Sequence, residues 1–102
     1  GVDIEEIFSA QTATELTDNI ITPAEHERLA DCGLAFSLAL TLAFSAKESA
    51  FKASEIQTDA GFLDYQIISW NKQQVIIHRE NGMFAVHWQI KEKIVITLCQ
   101  HD

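Results

Sequence analysis

Positive charge is what this sequence has least of. Seven Lys and Arg stand against fifteen Asp and Glu, for a net charge of −8. A nucleic-acid binder needs clustered cations to displace counterions from phosphates, so that class is excluded. An anionic membrane surface is disfavoured on the same ground. Cysteine is nearly as scarce: Cys32 and Cys99 lie far apart, and neither sits in a CxxC or Cys/His spacing. That removes a zinc site of ordinary ligand spacing and reads as two reduced thiols in a cytosolic protein. No signal peptide is visible, and the longest apolar run, about ten residues between Leu34 and Phe44, is too short to cross a bilayer. Internal repeats and low-complexity tracts are missing as well. The expectation is a cytoplasmic protein without a membrane span.

What is present is apolar: 47% of the 102 residues are hydrophobic, with six Phe and two Trp. This suffices for the core of a single domain, residues 1–102, or for half of a larger unit. At this length the surface stays large relative to the interior, and an exposed apolar face is expected if a second domain or subunit covers it. The chain opens on Gly1, without Met, inside an apparent strand, which reads as a fragment.

Gly1 to Ile7, GVDIEEI, alternates apolar and acidic residues with period two, placing Asp3 and Glu5 on one strand face. Thr12-Ala13-Thr14-Glu15 has the form of a capping box and predicts a short helix to about Asn19. Thr22-Pro23-Ala24-Glu25 repeats the signal, with Pro at the first helical position, and this helix runs to about Asp31 and stops at Gly33. A longer helix starts near Ala35. Its first turns, AFSLALTLAF, are apolar almost all round, as for a helix buried on several sides. Its far end, Lys47 to Ser54, is polar, so the charged turn is expected to emerge at an edge of the core. After Gly61, four segments rich in β-branched and aromatic residues follow: Phe62–Trp70, Gln74–Arg79, Met83–Ile90 and Ile94–Cys99. Asn81-Gly82 is a hairpin signal between the second and third. The fold class is α+β: an N-terminal strand, helices including one long central helix, then an antiparallel β-meander.

Between Gly1 and Asn71 only Arg28, Lys47 and Lys52 are basic, against twelve carboxylates, and two of those cations flank Glu48. A surface pair between Glu48 and Lys52 at i,i+4 would be worth a few tenths of a kcal/mol, yet it leaves Lys47 unexplained. The two lysines lie about 140° apart around a helix. Asp3 and Glu5 alone are compatible with a solvated strand face. If their strand packs beside the long helix, however, three carboxylates converge with ammonium groups on either side. That set suits a magnesium-bound diphosphate, with acids on the hard cation and lysines on phosphate oxygens. His26, His78, His87 and His101 do not cluster. Trp70, Trp88, Phe62 and Phe84 read as core or interface.

GVDIE, followed roughly forty residues later by FSAKESAFKA, resembles the signature pair of the 4′-phosphopantetheinyl transferases. The family pattern is G-[IV]-D-[IV]-E, then [FW]-[ASC]-x-K-E-[SA]-x-x-K. Gly1, Val2, Asp3, Ile4, Glu5, Phe44, Ser45, Lys47, Glu48, Ser49 and Lys52 match it. TATEL (Thr12 to Leu16) and LALTLAFSAKES (Leu38 to Ser49) further resemble the branch serving siderophore peptide synthetases. The likeness is close through Ala53 and weaker after Gly61.

The resemblance implies an enzyme that moves the 4′-phosphopantetheine arm of coenzyme A onto a serine of a carrier protein, releases adenosine 3′,5′-bisphosphate and requires Mg²⁺. It implies Asp3, Glu5 and Glu48 as metal ligands, and Glu48 as the base for the serine, directly or through a water. Lys47 and Lys52 would contact phosphate, with Lys52 also steadying the departing or attacking oxygen. Partners would be coenzyme A and aryl, peptidyl or acyl carrier domains. Ser45 and Ser49 read as small packing or helix-surface positions. Members of this branch have two similar halves with the site between them, so the chain is expected to be the C-terminal half of such an enzyme. Two other readings stand beside it. One is a catalytically incomplete half that binds carriers or self-associates as a homodimer through the missing-half interface. The other is a general metal-dependent phosphodiesterase.

Overall fold

A five-stranded antiparallel sheet carries three helices on one of its faces. The computed structural model describes residues 1–54, 61–80 and 82–99. In chain order these form β1 (Val2–Glu6), α1 (Ala10–Ile20), α2 (Pro23–Ala30) and α3 (Phe36–Ala53). A 3₁₀ turn (Phe62–Asp64) then leads into β2 (Gln66–Trp70), β3 (Gln74–Arg79), β4 (Gly82–Lys91) and β5 (Ile94–Cys99). The strand order is β1-β5-β4-β3-β2. Strands β2 to β5 are the expected meander, and β1 returns to pair antiparallel with β5, setting Asp3 opposite Thr97 and Glu5 opposite Val95. The α+β architecture is as the sequence indicates. No helix among the described residues is long and apolar enough to cross a membrane.

Three local expectations need correction. Helix α1 begins at Ala10, not after Thr12, because Ser9 is its cap: the Ser9 hydroxyl accepts the Thr12 N–H at 3.1 Å. Thr12 therefore lies inside the first turn, and Glu15 accepts from the Gln11 amide instead. Phe62 to Asp64 is a 3₁₀ turn rather than the start of a strand. It is closed where the Gly61 N–H meets Asp64 Oδ2 at 3.1 Å. The third correction is Lys47, whose side chain is wholly buried rather than exposed at an edge. Asn81 of the β3–β4 hairpin lies outside the described residues, but the pairing of Arg79 with Gly82 across it is present.

The other boundaries follow the sequence signals. Thr22 and Glu25 complete their capping box at 3.3 and 3.0 Å. Gly33 leaves α2 with φ +84°, a left-handed conformation that costs glycine little. Helix α3 crosses the sheet chiefly over β5 and β1 with α1 on its other flank, which is why its first turns are apolar all round. Ala39, Ala43, Ala46 and Ala50 are fully buried along it and let the helix lie close to its neighbours. Leu40 and Leu42 fill the core, each worth about 1.5–3 kcal/mol on burial.

The opposite face of the sheet carries no helix among the described residues. Val2, Ile4, Ile94 and Leu98 project from adjoining β1 and β5 and are 39–61% exposed. The apolar-acidic alternation of β1 is thus inverted relative to a simple soluble strand. Its acids face the helix and its aliphatic residues face outward.

Candidate metal and phosphate site

Three contacts fix how α3 sits on β1 and β5. Thr97 points inward from β5, and its hydroxyl lies 2.8 Å from Ser45 Oγ and 2.5 Å from Ser49 Oγ. It also donates to the Ser45 carbonyl at 3.0 Å. All three hydroxyl side chains are fully buried, so each must find its partner within this cluster. The third contact is at Gly1, which is pressed against the helix. A Cβ there would fall 2.5 Å from Lys52 Cβ and 2.7 Å from the Ser49 carbonyl oxygen. The motif serines are therefore packing positions whose hydroxyls register helix on strand.

This register brings Lys52 over the acidic face of β1. Its ammonium donates to Asp3 Oδ1 at 3.1 Å and to the Val2 carbonyl at 3.2 Å. Among the described residues Lys52 pairs with Asp3 and not with Glu48, so the i,i+4 surface pair is not formed. Asp3 is 7% exposed, and its second oxygen, Oδ2, is buried with no hydrogen-bond partner among the described residues. Glu5 stands beside it. Burial, then a hydrogen bond and charge repulsion from Asp3, then the charge of Glu48, push the Glu5 carboxyl up to about 7, with Lys52 opposing them. Glu48 is thus near enough for its charge to be felt at Glu5. As placed, no three Asp, Glu, His or Cys side chains among the described residues enclose a metal ion.

The donor set still fits a hard divalent cation. Asp3 Oδ2 is buried without a hydrogen-bond partner among the described residues, and beside it stands a second carboxyl that burial and Asp3 push up to about 7. Oxygen is also the ligand atom that Mg²⁺ selects. Asp3, Glu5 and Glu48 are the residues that would hold it.

Lys47 parts from the sequence expectation. Its ammonium turns into the body of the domain and donates to the Ile20 carbonyl at 2.6 Å, Glu25 Oε1 at 2.9 Å and the Phe62 carbonyl at 3.0 Å. An ammonium has three N–H groups, and all three are spent. Glu25, equally buried, also accepts the Ile67 N–H on edge strand β2 at 2.7 Å. Burial draws the Lys47 pKa down while Glu25 holds it up. No N–H remains to offer a phosphate. Neither Glu25 nor Thr97 is a site candidate from the sequence. Glu25 was accounted for by its capping box, and Thr97 is a polar residue on the apolar face of a strand, which was the available signal.

On the far side of Glu48 lies a cavity of about 220 Å³ lined by Lys47, Glu48, Phe51, Gly61, Phe62 and Tyr65. Its walls are mainly aromatic. Tyr65 is held by the Arg79 guanidinium at 2.9 Å and by Ser54 at 3.1 Å.

A family model described as the 4′-phosphopantetheinyl transferase superfamily matches residues 1–99. The chain is 99% identical over all 102 residues to enterobactin synthase component D of Escherichia coli O157:H7, covering 50% of that protein. It is 96% identical over the same span to the protein of that name from E. coli strain K12, again covering 50% of it. With the one from Salmonella typhimurium it shares 47% identity over 107 aligned residues, 96% of this chain and 46% of that protein. The chain spans about half the length of the curated relatives it matches. With β1 and α3 bearing the paired motifs in contact and the match running through β5, the chain belongs to the 4′-phosphopantetheinyl transferase superfamily.

Proposed function

We propose that this chain is the metal-binding and catalytic half of a Mg²⁺-dependent 4′-phosphopantetheinyl transferase. It would act in the cytoplasm on carrier domains of enterobactin-type siderophore synthesis. One observation carries this reading: Asp3, Glu5 and Lys52 meet at the β1–α3 contact with Glu48 alongside, so acids and a cation face one space. The names of the relatives supply the siderophore context, and a second half of their length would complete the coenzyme A pocket.

In the reaction the carrier serine oxygen forms a bond to the phosphorus that bears pantetheine. The bond from that phosphorus to the bridging oxygen breaks, and adenosine 3′,5′-bisphosphate departs. Asp3, Glu5 and Glu48 would hold Mg²⁺, which would supply charge neutralisation at the diphosphate. Glu48 accepts the serine proton, directly or through a water. Lys52 lies on the open side of Asp3 and neutralises phosphate oxygen as negative charge shifts. The apolar cavity beside Glu48 takes the uncharged pantetheine arm. Positioning and electrostatics supply most of the rate, since no side chain needs to act as a covalent nucleophile.

The test is mass spectrometry of an apo carrier protein incubated with the naturally produced protein, coenzyme A and Mg²⁺. A mass gain of one phosphopantetheine that disappears with Glu48→Ala supports the reading, and an unchanged rate in that variant overturns it. Release of adenosine bisphosphate without any carrier would favour a phosphodiesterase instead. The exposed aliphatic face of β1 and β5 favours a second reading, a half-domain that self-associates. Sedimentation of the 102-residue chain alone decides this: a dimer lost on Ile4→Lys supports self-association, and a monomer at micromolar concentration removes it.

A further inference from the structure

The buried pair formed by Lys47 and Glu25 lies beneath the aromatic cavity, away from the acidic face of β1. Lys47 ties together four segments that are distant in sequence: its own helix α3, the last residue of α1 through the Ile20 carbonyl, α2 through Glu25, and the 3₁₀ turn through the Phe62 carbonyl. Phe62 is a cavity wall. Its ring meets that of Phe44 with centroids 5.0 Å apart. Its main-chain position is held by the Lys47 ammonium. Glu25 extends the tie to β2 by accepting the Ile67 N–H, two residues after Tyr65, another wall residue. The ammonium and the carboxylate both have zero exposure, so neither touches solvent or an anion in it.

The geometry points to Lys47 and Glu25 as a positioning pair that sets the shape of the pantetheine cavity and makes no contact with phosphate. This rests on the transferase reading and assigns the first lysine of the K-E motif a role different from that of the second. A buried ion pair that loses one member leaves an uncompensated charge, which is strongly destabilising. Replacement of both members avoids that cost. The informative variant is therefore Lys47→Met with Glu25→Gln, which stays neutral and keeps an acceptor for β2.

The experiment measures binding to the naturally produced protein by calorimetry in Mg²⁺, with two probes. Coenzyme A has the arm; adenosine 3′-phosphate 5′-diphosphate has the same phosphates without it. Circular dichroism and a cooperative melt confirm folding. In the double variant, coenzyme A affinity is expected to fall about tenfold or more, the scale of one or two lost hydrogen bonds at the wall. Affinity for the armless probe should stay within about twofold. Glu25→Gln alone, which keeps the Lys47–Phe62 contact and an acceptor for the Ile67 N–H, should show a smaller arm-specific loss than the double variant. Equal loss for both probes would overturn the inference in favour of a phosphate-contacting Lys47, and unchanged affinity for both would reduce the pair to a purely structural role. Failure of the wild-type protein to bind coenzyme A would remove the transferase reading itself, a distinguishable result.

Discussion

Lys52 reaches from α3 across to β1 and sets its ammonium 3.1 Å from Asp3 Oδ1, while Asp3 Oδ2 stays without a partner among the described residues. One oxygen of this carboxylate therefore faces the Lys52 side chain, and the other is available to a cation.

Lys52→Met should separate metal binding from turnover. Removing an electrostatic donor at a reacting phosphate costs about 10²–10³ in kcat. Metal affinity should hold or tighten, because a competing cation has left Asp3. Asp3→Asn should instead abolish metal binding. Calorimetric titration with Mg²⁺ or Mn²⁺ reads the first quantity and single-turnover kinetics the second. Weaker metal binding in Lys52→Met would contradict the arrangement.

Glu5 makes the metal-free protein pH-dependent. Its carboxyl is pushed up from the ordinary 4.5 to about 7, first by burial and then by Asp3 and Glu48. The native state thus retains a proton that the unfolded chain releases. The associated stability is complete below the ordinary carboxylate value and is lost as pH rises through about 7. In scanning calorimetry without metal, Tm should fall from about pH 5 to 7.5 more steeply than in Glu5→Gln. Saturating Mg²⁺ should flatten the wild-type curve. Identical slopes for wild type and Glu5→Gln would remove Glu5 from the acidic cluster.

Gly1→Ala tests the closeness of strand and helix. The added methyl would lie 2.7 Å from the Ser49 carbonyl oxygen, a backbone atom that cannot rotate away. Overpacking of this kind costs about 1–3 kcal/mol, and here it also lifts Asp3 away from Lys52. Chemical denaturation should show the stability loss, and metal titration should show weakened binding in the fraction that remains folded. A variant as stable as wild type, with unchanged metal affinity, would mean that β1 tolerates more distance.

Thr97→Val keeps the shape of the side chain and removes the hydroxyl shared by Ser45 and Ser49. Two buried hydroxyls lose a partner, at about 1–3 kcal/mol each at most. A lower denaturation midpoint with unchanged slope is expected. The double variant Thr97→Val with Ser45→Ala should recover part of the loss, because the Ser45 hydroxyl orphaned by Thr97→Val is gone, whereas the Ser49 hydroxyl still donates to the Thr97 carbonyl at 3.3 Å. Absence of any recovery would show that the hydroxyls act independently.

The strands, the three helices and the meander order were legible because they rest on local periodicity and on caps such as Thr22 with Glu25 and Gly33 after α2. The start of α1 was misread because two hydroxyl residues three positions apart, Ser9 and Thr12, are both competent caps, and pattern alone does not rank them. The sequence groups Asp3, Glu5, Glu48 and Lys52; the structure joins Lys52 to Asp3, sets Glu5 beside Asp3 and leaves Glu48 acting through its charge. Lys47 was misplaced. A lysine following an apolar run looks like the point where a helix leaves the core, and nothing in its own turn reveals a buried glutamate twenty-two residues earlier.

Spacing along the chain was enough to determine which side chains share a strand face or a helix flank, because those relations follow from residue geometry within a single element. Which element lies against which was decided only by packing, as small and hydroxyl-bearing residues let α3 settle onto β5 and β1. That contact turned one motif lysine outward to an acid and the other inward to a salt bridge. A charge finds its partner through three-dimensional proximity and desolvation, and neither is written in the order of the residues.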